Sequence, residues 1–91
     1  MTPKSLVIAA AAINSAAQIN LPTDVVITSG TDGVHMSGSK HYKGEALDLR
    51  LPPIEWRGRF IARLGERLGP DYQIVVEDDH IHVEFDPQDV V

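Results

Sequence analysis

The sequence predicts an α+β domain: a small, mainly antiparallel sheet with two helices packed on one side. Three observations carry this. Two stretches, Pro3 to about Ile19 and Ile54 to Leu68, combine helix-start signals with apolar residues at helical spacing. Four short stretches, Val25–Thr28, Glu45–Leu51, Tyr72–Val76 and His80–Phe85, are rich in β-branched or alternating apolar residues. The connections between them are mostly short, which favours antiparallel neighbours over crossover units.

Thr2 reads as the N-cap of the first helix, with Pro3 in its first turn. The Ala-rich centre, Ala9 to Ala12 with Ala16 and Ala17, has high helix propensity and lets the helix lie close to a sheet. Leu6, Ile13 and Ala17, with Ala9 and Ala10, are the expected buried stripe. Asn20-Leu21-Pro22 ends the helix. The Gly- and Ser-rich stretch Ser29 to Ser39 reads as a loop with Asp32-Gly33 as a turn. In Glu45–Leu51, Ala46, Asp48 and Arg50 share one face and Leu47, Leu49 and Leu51 the other. Pro52-Pro53 stops this strand and opens the second helix, where Trp56, Phe60, Ile61, Leu64 and Leu68 form an apolar band. Arg59, Arg63 and Arg67, four apart, read as a solvated face. Gly69-Pro70 closes the helix. Glu77-Asp78-Asp79 is an acidic turn joining the last two strands into a hairpin. In the final strand His80, His82 and Glu84 share one face, and Ile81, Val83 and Phe85 the other.

Ninety-one residues, 43% of them hydrophobic, make one domain over positions 1–91 with a modest core. The net charge of -5, from 8 basic and 13 acidic residues, argues against a nucleic-acid partner. No stretch is long enough to span a membrane. The apolar run Leu6–Ala12 is short and is followed by polar residues at helical intervals, so it reads as a helix rather than a signal peptide. The expectation is a monomer made in the cytoplasm. The chain has no cysteine, so thiolate chemistry and Cys-type metal sites are excluded. A metal would need nitrogen and oxygen donors, and His35, His41, His80 and His82 supply imidazoles.

Two polar clusters stand out. His41 lies seven residues before Asp48, with Gly44 between them to allow a bend. Glu77-Asp78-Asp79-His80-Ile81-His82-Val83-Glu84 forms the second. Their strands both have an apolar core face, so in a shared sheet their polar side chains share a surface. Zinc held by two histidines, one carboxylate and a water is a common catalytic arrangement. A peptidase of this kind also needs a base for the metal-bound water. Two registers are open: His82 as ligand with Asp79 as base, or His80 as ligand with Glu77 as base. A single strand histidine is more often a surface group than a ligand; the conjunction of two histidines, a carboxylate and a base on one surface carries the reading.

Ser39-Lys40-His41-Tyr42-Lys43-Gly44-Glu45-Ala46-Leu47-Asp48 resembles the Ser-x-His-x-x-Gly-x-Ala-x-Asp signature of the LAS zinc metallopeptidases. These are D-Ala-D-Ala carboxypeptidases and dipeptidases and phage L-alanyl-D-glutamate endolysins, and they share a fold with the Hedgehog signalling domain. His80-Ile81-His82-Val83-Glu84 resembles the family's second histidine motif, and Ser29-Gly30 the lead-in to its first. The likeness spans about Val25 to Phe85. It implies a Hedgehog/DD-peptidase-like fold and a Zn2+ ion on His41, Asp48 and His82. It favours Asp79 over Glu77 as general base and places His80 beside the metal. The implied reaction is hydrolysis of a peptide bond in peptidoglycan stem peptides, in a protein of phage or prophage origin that is released by phage or carried on the virion. The chain departs from the family where a substrate-gripping Arg is usual: none occurs from Val25 to Ser39, and Asp32 stands there. Lys40 or Lys43 is the nearest replacement, without the guanidinium fork. The alternative is a non-catalytic zinc-containing module of the same fold, serving in cell-wall binding or virion structure.

Overall fold

Local chemistry at Thr2 sets the first helix. In the computed structural model, which describes residues 2–31 and 45–87, Thr2 Oγ1 accepts the Ser5 N–H at 3.2 Å and donates to Ser5 Oγ at 2.8 Å. With Pro3 in its first turn, α1 runs Pro3–Gln18. It ends in a Schellman motif. Asn20 takes a positive φ of 57°, its N–H bonds the Ala17 carbonyl at 3.2 Å, and Leu21 N–H bonds the Ala16 carbonyl at 2.9 Å. Asparagine tolerates that backbone conformation better than most residues.

The sheet has four antiparallel strands in the order β1-β2-β4-β3. They are β1 (Ile27–Thr31), β2 (Ala46–Arg50), β3 (Tyr72–Val76) and β4 (His80–Phe85). β3, β4 and the intervening α2 (Ile54–Leu68) fall where the residue pattern predicts them. β1 is displaced two to three residues toward the C-terminus of the expected Val25–Thr28. Pairing decides this: Gly30 and Thr31 lie opposite Leu47 and Ala46, and an irregularity between Ile27 and Ser29 accommodates the register. Ser29 to Thr31, read locally as the start of a loop, are thus recruited by the partner strand. Val26 stays attached just outside, its carbonyl accepting the Arg50 N–H at 2.9 Å.

Both helices pack on the face of the sheet that carries Leu47 and Leu49 of β2 and Ile81 and Val83 of β4. Phe60, Leu64 and Leu68 of α2 and Ile8, Ala11 and Ala12 of α1 complete the buried core. Trp56 and Ile61, expected in the same band, are only half-buried; the Trp56 ring is covered by the Arg59 guanidinium at 4.4 Å. Gly69, at φ 82°, ends α2 with its N–H on the Gly65 carbonyl.

The buried stripe of α1 is not the expected one. Leu6 and Ile13 are 55% and 59% exposed, Ala10 and Ala17 also face outward, and Ala9 is half-buried. The inward residues are Ser5, Ile8, Ala11, Ala12 and Ser15. Alanine surrounds this helix, so apolar spacing alone does not select a face. Small serines permit a close approach to the sheet, and the Ser5 hydroxyl is satisfied by Thr2.

Candidate metal centre

The side of the sheet opposite the helices holds the polar residues. Strand alternation puts Asp48 between the core residues Leu47 and Leu49, and His82 between Ile81 and Val83. The β2–β4 register then sets Asp48 directly opposite His82. The same row continues to Ser29 of β1 and Val75 of β3. Asp48 and His82 thus meet across two neighbouring central strands, where backbone hydrogen bonding on both sides limits their movement.

The His82 ring lies between two carboxylates. Its Nδ1 is 2.8 Å from Asp48 Oδ1, and its Nε2 is 2.9 Å from Glu84 Oε1. Ionised carboxylates only accept hydrogen bonds, so this geometry is the one that favours a ring donating from both nitrogens, the imidazolium form. Burial pulls the His82 pKa down, but the Glu84 and Asp48 carboxylates outweigh it, and the group titrates above the ordinary histidine range. All three side chains are partly shielded, with 30%, 23% and 28% exposure for His82, Asp48 and Glu84.

His80 stands one alternation away on the same face, its Nε2 3.8 Å from Asp48 Oδ1. Its Nδ1–H donates to Asp79 Oδ1 at 2.6 Å. That hydrogen bond, more than the surrounding negative charge of Asp48, Asp79 and Glu77, raises the His80 pKa. The hairpin turn is closed by the Glu77 N–H on the His80 carbonyl at 2.8 Å, and the Glu77 side chain is exposed.

Of the residues singled out in the sequence, the fold brings together Asp48, His80, His82 and Asp79. Glu77 stays at the turn. His41, His35, Gly44, Lys40, Lys43 and Asp32 lie outside the described residues. Among the described residues no group of three or more His, Asp or Glu side chains is placed to hold a metal ion. Asp48 and His82 supply one oxygen and one nitrogen donor side by side, amid further carboxylates. This donor chemistry suits a divalent cation such as zinc. Glu84 received no role in the sequence reading. The signal was present: it lies two residues beyond His82, and alternation puts it on the same face.

Among the described residues, Ile13, Ala17, Leu21 and Val25 with others line a surface groove away from this face, and Asp24, Arg50, Pro52 and Arg57 with their neighbours line another. The arginine face of α2 is engaged locally: Arg63 pairs with Glu66 at 3.1 Å and Arg59 donates to the Glu55 carbonyl at 3.3 Å. No described helix is long and apolar enough to cross a membrane. Comparison with protein-family models, with curated proteins and with solved structures returns no match.

Proposed function

We propose that the protein is a zinc-dependent peptidase acting on peptidoglycan stem peptides. The observation that carries this reading is the 2.8 Å approach of His82 to Asp48 across β2 and β4, Asp48 being the last residue of the sequence motif that begins at Ser39. In this reading His41, Asp48 and His82 hold the ion. An ion held there would supply Lewis-acid polarisation of the scissile carbonyl and of a water.

The chain's own residues do the rest. Asp79 is the base that takes the proton from the attacking water and passes it to the leaving amine. His80, oriented by Asp79 at 2.6 Å, offers a cationic ring to the negative charge that develops on the carbonyl oxygen. The rigid β2–β4 pair holds Asp48 and His82 in place, which lowers the entropic cost of assembling the site. The fold implied is that of the Hedgehog/DD-peptidase group. The four-stranded sheet with helices on one face supports this at the level of architecture.

The test has two measurements. The first is metal content by elemental analysis after purification in trace zinc. The second is release of new amino or carboxyl termini from purified peptidoglycan and from synthetic stem peptides. One zinc per chain and cleavage are expected. Asp79→Ala is expected to lower turnover by about 100-fold or more with zinc retained, the range of a lost general base. Zinc retained without cleavage by the wild-type protein leaves the non-catalytic, wall-binding or virion module as the surviving reading. Absence of zinc removes both.

A further inference from the structure

We infer that Glu84 is a positioning residue that holds the His82 ring by Nε2–H, so that Nδ1 is the nitrogen offered to a metal. The inference rests on the zinc reading above and adds the tautomer and orientation of one ligand.

Three observations converge. First, a histidine binds metal through one unprotonated nitrogen, and its other nitrogen then keeps the only ring proton. Second, the two ring nitrogens of His82 meet different carboxylates: Nδ1 meets Asp48 from the neighbouring strand, and Nε2 meets Glu84 from its own strand. An ion shared by Asp48 and His82 lies on the Nδ1 side of the ring, so the retained proton is on Nε2. Third, Glu84 Oε1 already accepts from that atom at 2.9 Å. Glu84 reaches it through the period of the strand, two residues along on the same face. A carboxylate behind a metal-binding histidine fixes the ring plane and makes the ligating nitrogen more basic.

The competing arrangement swaps the roles. There Glu84 and Nε2 hold the ion and Asp48 orients the ring. The residues are the same and the nitrogen differs, so a measurement that distinguishes the nitrogens decides between them.

The experiment uses the full chain with zinc, in wild-type, Glu84→Gln and Glu84→Ala forms, with circular dichroism confirming that each is folded. Zinc affinity is read by competition with a chromophoric chelator. Imidazole nitrogen shifts of His82 are read by 15N-resolved NMR with and without the metal. Zinc is expected to move the His82 Nδ1 resonance and leave a protonated Nε2. Glu84→Ala is expected to weaken zinc binding about 10- to 100-fold, the range for lost supporting carboxylates. Glu84→Gln keeps an acceptor oxygen without the charge, and is expected to lose less and to preserve the tautomer. Zinc on Nε2 overturns the inference, as does affinity in Glu84→Ala within about twofold of wild type; either result leaves the zinc reading standing. A wild-type protein that takes up no zinc overturns that reading and this inference with it.

Discussion

At the scale of single residues, the His82 environment has a consequence for stability that needs no metal. Its pKa in the folded chain is raised, whereas in the unfolded chain it sits near the ordinary value of about 6.5. Between those two values the folded state binds more protons than the unfolded state, so stability falls as pH rises. The contribution of the His82 cation, held by Asp48 and Glu84, is fully present below about pH 6.5 and is lost as pH climbs through the raised folded value. His80 acts with the same sign, although its exposure to solvent screens the effect. In chelator-treated protein, the unfolding midpoint of wild type relative to His82→Gln should therefore shrink from pH 6 to pH 9. A difference that grows over that interval would mean the two carboxylates do not hold a charged ring.

At the scale of elements, the two helices contrast in how plainly they declare their buried face. α2 alternates large apolar groups with charges, and its inward residues Phe60, Leu64 and Leu68 belong to the band read from spacing. α1 has a single charged residue, Lys4, and alanine on every side, so several faces are equally apolar until the sheet is present. The inward stripe sets one large residue, Ile8, among the small Ser5, Ala11, Ala12 and Ser15, which lets the helix pack closely on the sheet. This orientation predicts opposite behaviour for two aliphatic truncations. Leu64→Ala, at a site with 0% exposure, is expected to cost about 2–5 kcal/mol. Ile13→Ala, at 59% exposure, is expected to stay within about 0.5 kcal/mol, as for a surface change. Urea denaturation of both variants measures this. A large loss at Ile13 would mean that the outward face of α1 is covered in solution.

At the scale of the whole molecule, a chain of 91 residues, with ten of the described residues clustered in the buried core, has a small margin of stability. A ligand that binds only the folded state then has a visible effect. With free zinc at about 100 times its dissociation constant, the added stability is about 2.7 kcal/mol. In a domain of this length that corresponds to a rise in Tm on the order of 10 °C. Thermal melts with stoichiometric zinc, then with excess chelator, should show the rise and its reversal. A Tm indifferent to both would argue for a metal-free domain whose histidines serve only the surface hydrogen bonds seen at β4.

Much of this architecture is legible in the residues themselves. Thr2-Pro3, Pro52-Pro53 and Gly69-Pro70 act through local sterics and capping, so they mark helix ends without reference to the rest of the chain. The period of two in Ala46–Arg50 and His80–Phe85 separates core from polar face wherever the strands are placed, and thereby puts Asp48, His80, His82 and Glu84 on polar faces. What the residues could not specify is which strands are neighbours and in what register, because pairing joins positions 34 residues apart whose local patterns would allow several alignments. Only the tertiary structure sets His82 opposite Asp48, draws Ser29 and Gly30 into β1, and turns the serine side of α1 inward. It also sets Glu84 against the one ring nitrogen that Asp48 does not meet. In each case the deciding quantity is a contact between distant segments, and local propensity has no access to it.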